Sequence, residues 1–337
     1  MVVPKSRTIC TWPSIDLRRH DHARSRNECQ DSHPTTACSR RRQVSSLAAT
    51  AEAAGSTSSY ARVSGGTEVS EAPGPYLLSH QPTELERLQL QSRVWEPAGR
   101  TLLGQLPGGS GQRALDVGCG VMGWLRILSE WVGPDGSVVG SDVDDQMLTR
   151  ARVFIGAEAL ANVTLEKDDL FATRLPAGSF DLVHARFQIA PLGRADEQLA
   201  IYRRLLRPGG WLVLEDPDMG SWRVNPDAPA VSRLIGLIEK AFLAAGGNFN
   251  AGRDLPGLFR QLGVEPRLDA RVVALSPGHP YLRLPLQFAA SLQPRLETLI
   301  GKEGLEDLVR QADAELCRHG TWGTTFTLIQ ACARLTA

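Results

Sequence analysis

Ala114-Leu115-Asp116-Val117-Gly118-Cys119-Gly120-Val121-Met122-Gly123 is the stretch whose reading decides the fold. Its first residues read as a buried strand, its glycines as a turn, and the residues after them as the start of a helix. The glycines leave room for a ligand to approach the backbone, and a helix N-terminus follows them. Gly118, Gly120 and Gly123 also satisfy G-x-G-x-x-G, a pattern shared with NAD and FAD binders and weak on its own. Asp116 narrows the reading. Two residues before the first glycine, it would repel a diphosphate, since like unit charges 4 Å apart cost about 4 kcal/mol at an effective dielectric near 20. The same carboxylate favours a ligand with an ammonium group at that place.

The next strand ends Val138-Val139-Gly140-Ser141-Asp142, an acidic residue about 20 positions after the glycine turn. An aspartate in that strand–acid–helix context accepts hydrogen bonds from both ribose hydroxyls. The competing role, an N-cap for the following helix, can be filled by Asp144. After the third strand comes Lys167-Asp168-Asp169-Leu170-Phe171, where a carboxylate can take the exocyclic amine of adenine. Then Leu175-Pro176-Ala177-Gly178-Ser179-Phe180-Asp181-Leu182-Val183 feeds a strand ending His184-Ala185-Arg186.

From Arg113 onward strands and helices alternate. Strands are expected at 113–117, 137–141, 162–166, 180–185 and 211–215, with helices at 121–132, 144–156 and 195–206. Pro208-Gly209-Gly210 is expected to turn the chain into the fifth strand. This alternation predicts right-handed crossovers and a parallel, doubly wound α/β sheet. Ahead of it, Thr83-x-x-Glu86 is a capping-box signature. Leu85, Leu88, Trp95, Leu102 and Leu106 recur at helical intervals, with Pro97 as a kink or break. Beyond the fifth strand, helices are expected at 228–245, 255–262, 281–300 and 304–319. Strands are expected at 271–275 and at 324–333, where Thr-Thr-Phe-Thr-Leu-Ile is β-branched and apolar. The stretches 217–255 and 276–300 read as additions over the carboxyl edge of the sheet, where open α/β sheets bind ligands.

Taken together, these residues resemble the class I S-adenosylmethionine-dependent methyltransferases. The matching pieces are Leu-Asp-Val-Gly-Cys-Gly, Val-Gly-Ser-Asp, Asp-Asp-Leu, Leu-Pro-Ala-Gly-Ser-Phe-Asp-Leu-Val and Leu-Arg-Pro-Gly-Gly-Trp-Leu-Val-Leu-Glu-Asp, in order over residues 113–216. The helix at 76–112 resembles the N-terminal helix of small-molecule members. The resemblance implies a Rossmann-like, seven-stranded sheet with its last strand antiparallel, and S-adenosyl-L-methionine as the cofactor. It places the methionine amino group on Asp116, and the methionine portion on the backbone of Gly118 and Gly120. Ribose falls to Asp142, the adenine face to Val143, and the adenine amine to Asp169 or else Asp168, with Leu170 beside it. Tyr76 and Gln91 would reach the cofactor from the N-terminal helix; as packing and surface residues they would not. Met122 stands where the family often has a small residue, commonly glycine.

Methyl transfer demands a base only when the nucleophile must lose a proton. His184 is the first candidate, its ordinary pKa being near neutral. Asp216 is the second; its neighbour Glu215 should point to the opposite side of the strand. Arg186, Trp222, Arg223, Arg253, His279 and Tyr281 are candidate pocket residues. Three further readings stay open: an NAD(P)-dependent oxidoreductase using the same glycine turn, a non-catalytic S-adenosylmethionine-binding protein, and a nucleic-acid or protein methyltransferase.

The whole chain sets the frame. At 337 residues it can hold one large domain and a tail. A formal net charge of zero offers no field for nucleic acid or anionic membrane, and Arg203-Arg204 with Arg207 is only a short solvated cluster, so a small organic acceptor is expected and nucleic acid is not. No apolar run approaches the roughly 18 residues of a membrane span, and no secretory signal core is seen. Cys10, Cys29, Cys38, Cys119, Cys317 and Cys332 form no C-x-x-C pair, which predicts free thiols and a cytoplasmic location. Cys10, His20, His22, Cys29, His33 and Cys38 match no common zinc-finger spacing, so no metal is expected. Residues 1–70, with Ala53-Ala54-Gly55-Ser56-Thr57-Ser58-Ser59, are expected to be a disordered or spurious extension, or else a transit peptide or interaction arm. The methyltransferase domain is expected to span 76–337.

Overall fold

The computed structural model describes residues 82–336. The expectations for residues 1–70 and for Tyr76 fall outside them. The first element of the described residues is helix α1 (Pro82–Leu103), which runs unbroken through Pro97. A proline costs a helix one hydrogen bond and crowds the preceding turn. Here Trp95, Ala98 and Leu102, spaced along one face of the helix, are all buried, and that packing holds the helix together.

Strand and helix then alternate: β1 (Arg113–Val117), α2 (Leu125–Val132), β2 (Ser137–Asp142), α3 (Asp145–Ala157), β3 (Val163–Lys167), β4 (Phe180–Arg186), α4 (Ile189–Leu192), α5 (Ala195–Leu205) and β5 (Leu206–Asp218). Most boundaries shift by about one residue, and α2 and β5 shift by more. The helix expected from 121 starts at Leu125, because positive φ at Gly120 and Gly123 holds residues 121–124 in turns. Pro208-Gly209-Gly210 belongs to β5 instead of preceding it, at a bulge where the pairing shifts between Phe180 and Leu182.

After β5 come β6 (Arg223–Asn225), α6 (Pro229–Ala244), α7 (Leu255–Gln261), β7 (Arg267–Arg271), β8 (Ala274–Leu275), α8 (Leu284–Ser291), α9 (Gln293–Ile300), α10 (Lys302–Leu316), β9 (Trp322–Thr324) and β10 (Thr327–Leu335). The strand expected at 271–275 is thus two strands in two different sheets, β7 ending where it was to begin. The helix expected over 281–300 is divided at Leu292, just before Gln293-Pro294 opens α9.

Seven strands form one sheet in the order β3-β2-β1-β4-β5-β10-β7. The first five pair in parallel, and β10 runs antiparallel to both β5 and β7. This is the Rossmann-like, mostly parallel sheet with the last strand antiparallel. Each central strand is buried on both faces, yet the period of two survives in which layer each residue joins. Ala114, Val138, Leu182, Val213 and Cys332 pack toward α2, α3 and the end of α1. Leu115, Val139, Val183, Leu212 and Ala331 pack toward α5 and α7.

A third apolar layer collects Trp95 of α1, Leu234 and Phe242 of α6, Phe288 of α8, Leu296 of α9 and Leu308 of α10. Met219 and Trp222, which follow β5, and Leu328, at the start of β10, join it. These lie at the carboxyl end of β5, so the added helices pack at that edge of the sheet. The layer includes α10, which falls outside the expected 217–255 and 276–300 additions. The strands β6, β9 and β8 form a small second sheet within the same region.

Candidate active site

The register of the main sheet sets four polar residues side by side on one face. Asp116 of β1 lies opposite His184 of β4, and Gln330 of β10 lies opposite Glu215 of β5. All four continue the face that carries Ala114, Leu182, Val213 and Cys332, at its carboxyl end. They are joined into one buried row. His184 Nδ1 is 2.7 Å from Asp116 Oδ1, and His184 Nε2 is 3.2 Å from Glu215 Oε2. Gln330 Nε2 donates to Glu215 Oε1 at 2.5 Å. The indole of Trp124 stacks on the His184 ring, 3.7 Å between centroids.

Burial by itself pushes the His184 pKa down. Hydrogen bonds to Asp116 and Glu215, and the charges of both, outweigh it and hold the pKa above the usual histidine value. Burial alone would likewise raise Glu215; its hydrogen bond with His184 and the charge of Arg186 bring it below the ordinary carboxylate range. The two flanking carboxyl groups thus favour the protonated ring, the form in which both nitrogens donate.

Asp116 spends its other oxygen on the glycine turn: Oδ2 accepts from the Trp124 N–H at 2.7 Å. This requires glycine at 123. Gly123 has φ +40°, and a Cβ there would run into Asp116 Oδ2. Gly118 has φ +61°, and a Cβ there would overlap the amide of Gln188. Met122 sits in the core, and Gly123 takes up the left-handed backbone beside it.

A cleft of about 630 Å³ opens in front of the turn. Asp116, Gly118, Gly120, Asp142, Val143, Asp169, Leu170 and Gln91 all line it, drawn from β1, β2, the loop after β3 and α1. Asp142 accepts from Gly120 N–H at Oδ2 and from Asp144 N–H at Oδ1, both at 2.9 Å. Its pKa is raised, chiefly by burial. Asp144 caps α3, so Asp142 is not needed for that purpose. Val143 is an apolar side chain left 56% exposed in the cleft wall. Asp169 accepts from Phe171 N–H at 3.0 Å and Asp168 from Arg174 N–H at 2.9 Å, and both line the cleft. Gln91, half-buried, accepts from Arg87 at 2.8 Å.

The two candidate bases fare differently from expectation. His184 touches the cleft wall, but it is buried and both its nitrogens are engaged, so it offers no lone pair to a substrate. Asp216 points to the other face of β5, as the period of a strand requires. It accepts from Ala190 N–H at 3.0 Å and does not line the cleft, and burial pushes its pKa up to about 7. Of the candidate pocket residues, Arg186 lines the cleft. Trp222 and Tyr281 belong to the helical core. Arg223 is bonded to backbone carbonyls, Arg253 is paired with Asp218, and His279 caps the turn at Pro280–Arg283. Trp124, Gln188 and Ser92 were not read from the sequence as site residues. Each reaches the site through a loop or helix whose placement no local pattern encodes.

A Rossmann-like sheet with a glycine turn after β1 and an acid after β2 defines a cofactor-binding α/β protein. Comparison with known proteins then places it. Residues 114–210 match the family model described as "Methyltransferase domain". The chain is 34% identical over 136 residues to the nocamycin O-methyltransferase of Saccharothrix syringae, covering 39% of this chain and 49% of that protein. It is 35% identical over 129 residues to the aklanonic acid methyltransferase DauC of Streptomyces sp. (strain C5), covering 38% of this chain and 59% of that protein. The chain thus spans about half the length of these curated relatives. A putative type II methyltransferase structure from Anaeromyxobacter dehalogenans aligns over 71% of this chain and 96% of that chain, at 20% identity and TM-score 0.48. The family match thus covers residues 114–210, from β1 into β5, the stretch that holds the glycine turn, Asp142 and Asp169.

Proposed function

We propose that the protein transfers a methyl group from S-adenosyl-L-methionine to a small organic acceptor. The observation that carries this reading is the convergence of Asp116, Asp142 and Asp169 on one cleft, beside a glycine turn where side chains have no room. That donor set fits the cofactor. The bare backbone at Gly118 and Gly120 suits the methionine portion, Asp142 the ribose hydroxyls, Val143 and Leu170 the adenine faces, and Asp169 the adenine amine. When bound, the cofactor supplies a sulfonium methyl that leaves its sulfur by in-line displacement.

The chain's own residues have two tasks. The first is alignment, which can supply about 7–11 kcal/mol of the barrier. The row from Asp116 to Gln330 keeps the floor of the cleft rigid, and Gly123 lets Asp116 anchor the turn. Asp116 acts on the methionine amino group through the lone pairs that Trp124 and His184 leave it. His184 is a positioning residue and not the base. The second task is exclusion of water, which we assign to the helical layer at the carboxyl edge, acting as a lid. In this reading residues 76–337 are one methyltransferase domain, with a cofactor core at 113–216 and lid additions at 217–255 and 276–300. Among the described residues no helix is long and apolar enough to cross a membrane.

The test is turnover. Incubated with S-adenosyl-L-methionine and metabolite extract, the protein should form S-adenosylhomocysteine together with a metabolite heavier by one methyl group. Cofactor binding without either product, across extracts, would turn the reading to a non-catalytic binding protein.

A further inference from the structure

Arg186 ends β4, is buried, and lines the cleft. Its guanidinium is under-used. Nη2 reaches Ser92 Oγ at 3.4 Å, a long hydrogen bond, and Nη1 has no hydrogen-bond partner. The nearest carboxylate, Glu215, does not supply one. Its Oε2 is 3.8 Å from Nη1 and already bonded to His184, and its Oε1 is bonded to Gln330. Phe187, at φ +56°, turns the chain beside it, and its ring lies 5.7 Å from the guanidinium carbon. A buried guanidinium with idle donors is costly unless a ligand completes it, and its planar fork matches a carboxylate in two parallel bonds.

We infer that Arg186 is the carboxylate anchor of this cleft, pairing with a ligand carboxylate through the donors that Glu215 leaves idle. Two sources offer that chemistry: the α-carboxylate of the cofactor, and an acidic group on an acceptor whose apolar body lies against Phe187 and Leu192. The inference rests on the methyltransferase reading only for the first source.

Calorimetry on the full chain distinguishes them. Arg186→Gln is compared with wild type for three probes: S-adenosylhomocysteine, 5′-methylthioadenosine, which lacks the carboxylate, and 2-naphthoate against its neutral amide on the S-adenosylhomocysteine-loaded protein. If the anchor holds the cofactor, S-adenosylhomocysteine weakens roughly tenfold or more while 5′-methylthioadenosine is unchanged. If it holds the acceptor, wild type prefers 2-naphthoate to the amide by a similar factor and the variant loses that preference. Arg186→Lys, which keeps the charge and loses the fork, should show a partial loss in the same arm, and it reads the outcome if Arg186→Gln does not fold. Unchanged affinities for all probes would overturn the inference. If wild type binds neither adenosine compound, the cofactor reading fails, and naphthoate titrated alone against its amide still decides for or against Arg186.

Discussion

Asp116 and His184 lie opposite each other on neighbouring parallel strands and share a 2.7 Å hydrogen bond with no water between them. Asp116 thereby holds the glycine turn with one oxygen and the His184 ring with the other. The cofactor cleft is thus tied across four strands to Gln330 near the far side of the sheet.

Removing the ring from this row leaves Asp116 and Glu215 buried without their shared cation. His184→Ala should cost about 3–5 kcal/mol of stability, the range for breaking a buried ion pair. It should appear as a lower urea midpoint. The wild type should also show the matching pH dependence. His184 is protonated more readily folded than unfolded, so its contribution is complete below its ordinary value and fades as pH rises through the raised folded value. A stability difference between wild type and variant that does not shrink toward alkaline pH would contradict an imidazolium.

Asp216 gives a second, separable pH effect. Its pKa is raised to about 7, so the folded state favours the protonated acid. That preference stabilises fully below the ordinary aspartate value and is lost as pH climbs through 7. Asp216→Asn should remove the effect, gaining at most about 4 kcal/mol on wild type between acid and mildly alkaline pH. Denaturant midpoints at several pH values would show it, and methyl transfer should survive the substitution.

Gly123→Ala should fail through geometry. A non-glycine residue at positive φ costs about 1–3 kcal/mol, and the new methyl group displaces Asp116 from the Trp124 N–H as well. Both stability and cofactor affinity should fall. Gly236→Ala is the control: it lies inside α6 with open space around it, and should gain about 0.5–1 kcal/mol. Thermal unfolding and calorimetry on the pair would separate site geometry from a general effect of added methyl groups.

The parts of this molecule that could be read from sequence are those with a short period. Strands β1, β2, β4 and β5 announce themselves because each holds an apolar run flanked by glycine, proline or an acid, and β3 by its place between the helix before it and Asp168-Asp169. Asp116, Asp142 and Asp169 were found because each stands at a fixed distance from such a run. What escaped depends on register between strands. Nothing local says that His184 meets both Asp116 and Glu215, so it read as a free base. Asp216 read as a second base because its position at a strand end is visible and the face it points to matters more. The split of 271–275 between two sheets, and the part of α10 in the helical layer, are tertiary outcomes in the same sense.

The central claim is that Asp142 holds the ribose of S-adenosyl-L-methionine in this cleft. Titrating that compound, and NADH separately, into wild type and Asp142→Ala tests it most directly. The account predicts binding of S-adenosyl-L-methionine by wild type, no measurable binding by the variant, and no binding of NADH by either. Undiminished affinity in Asp142→Ala, or binding of NADH in place of S-adenosyl-L-methionine, would contradict it.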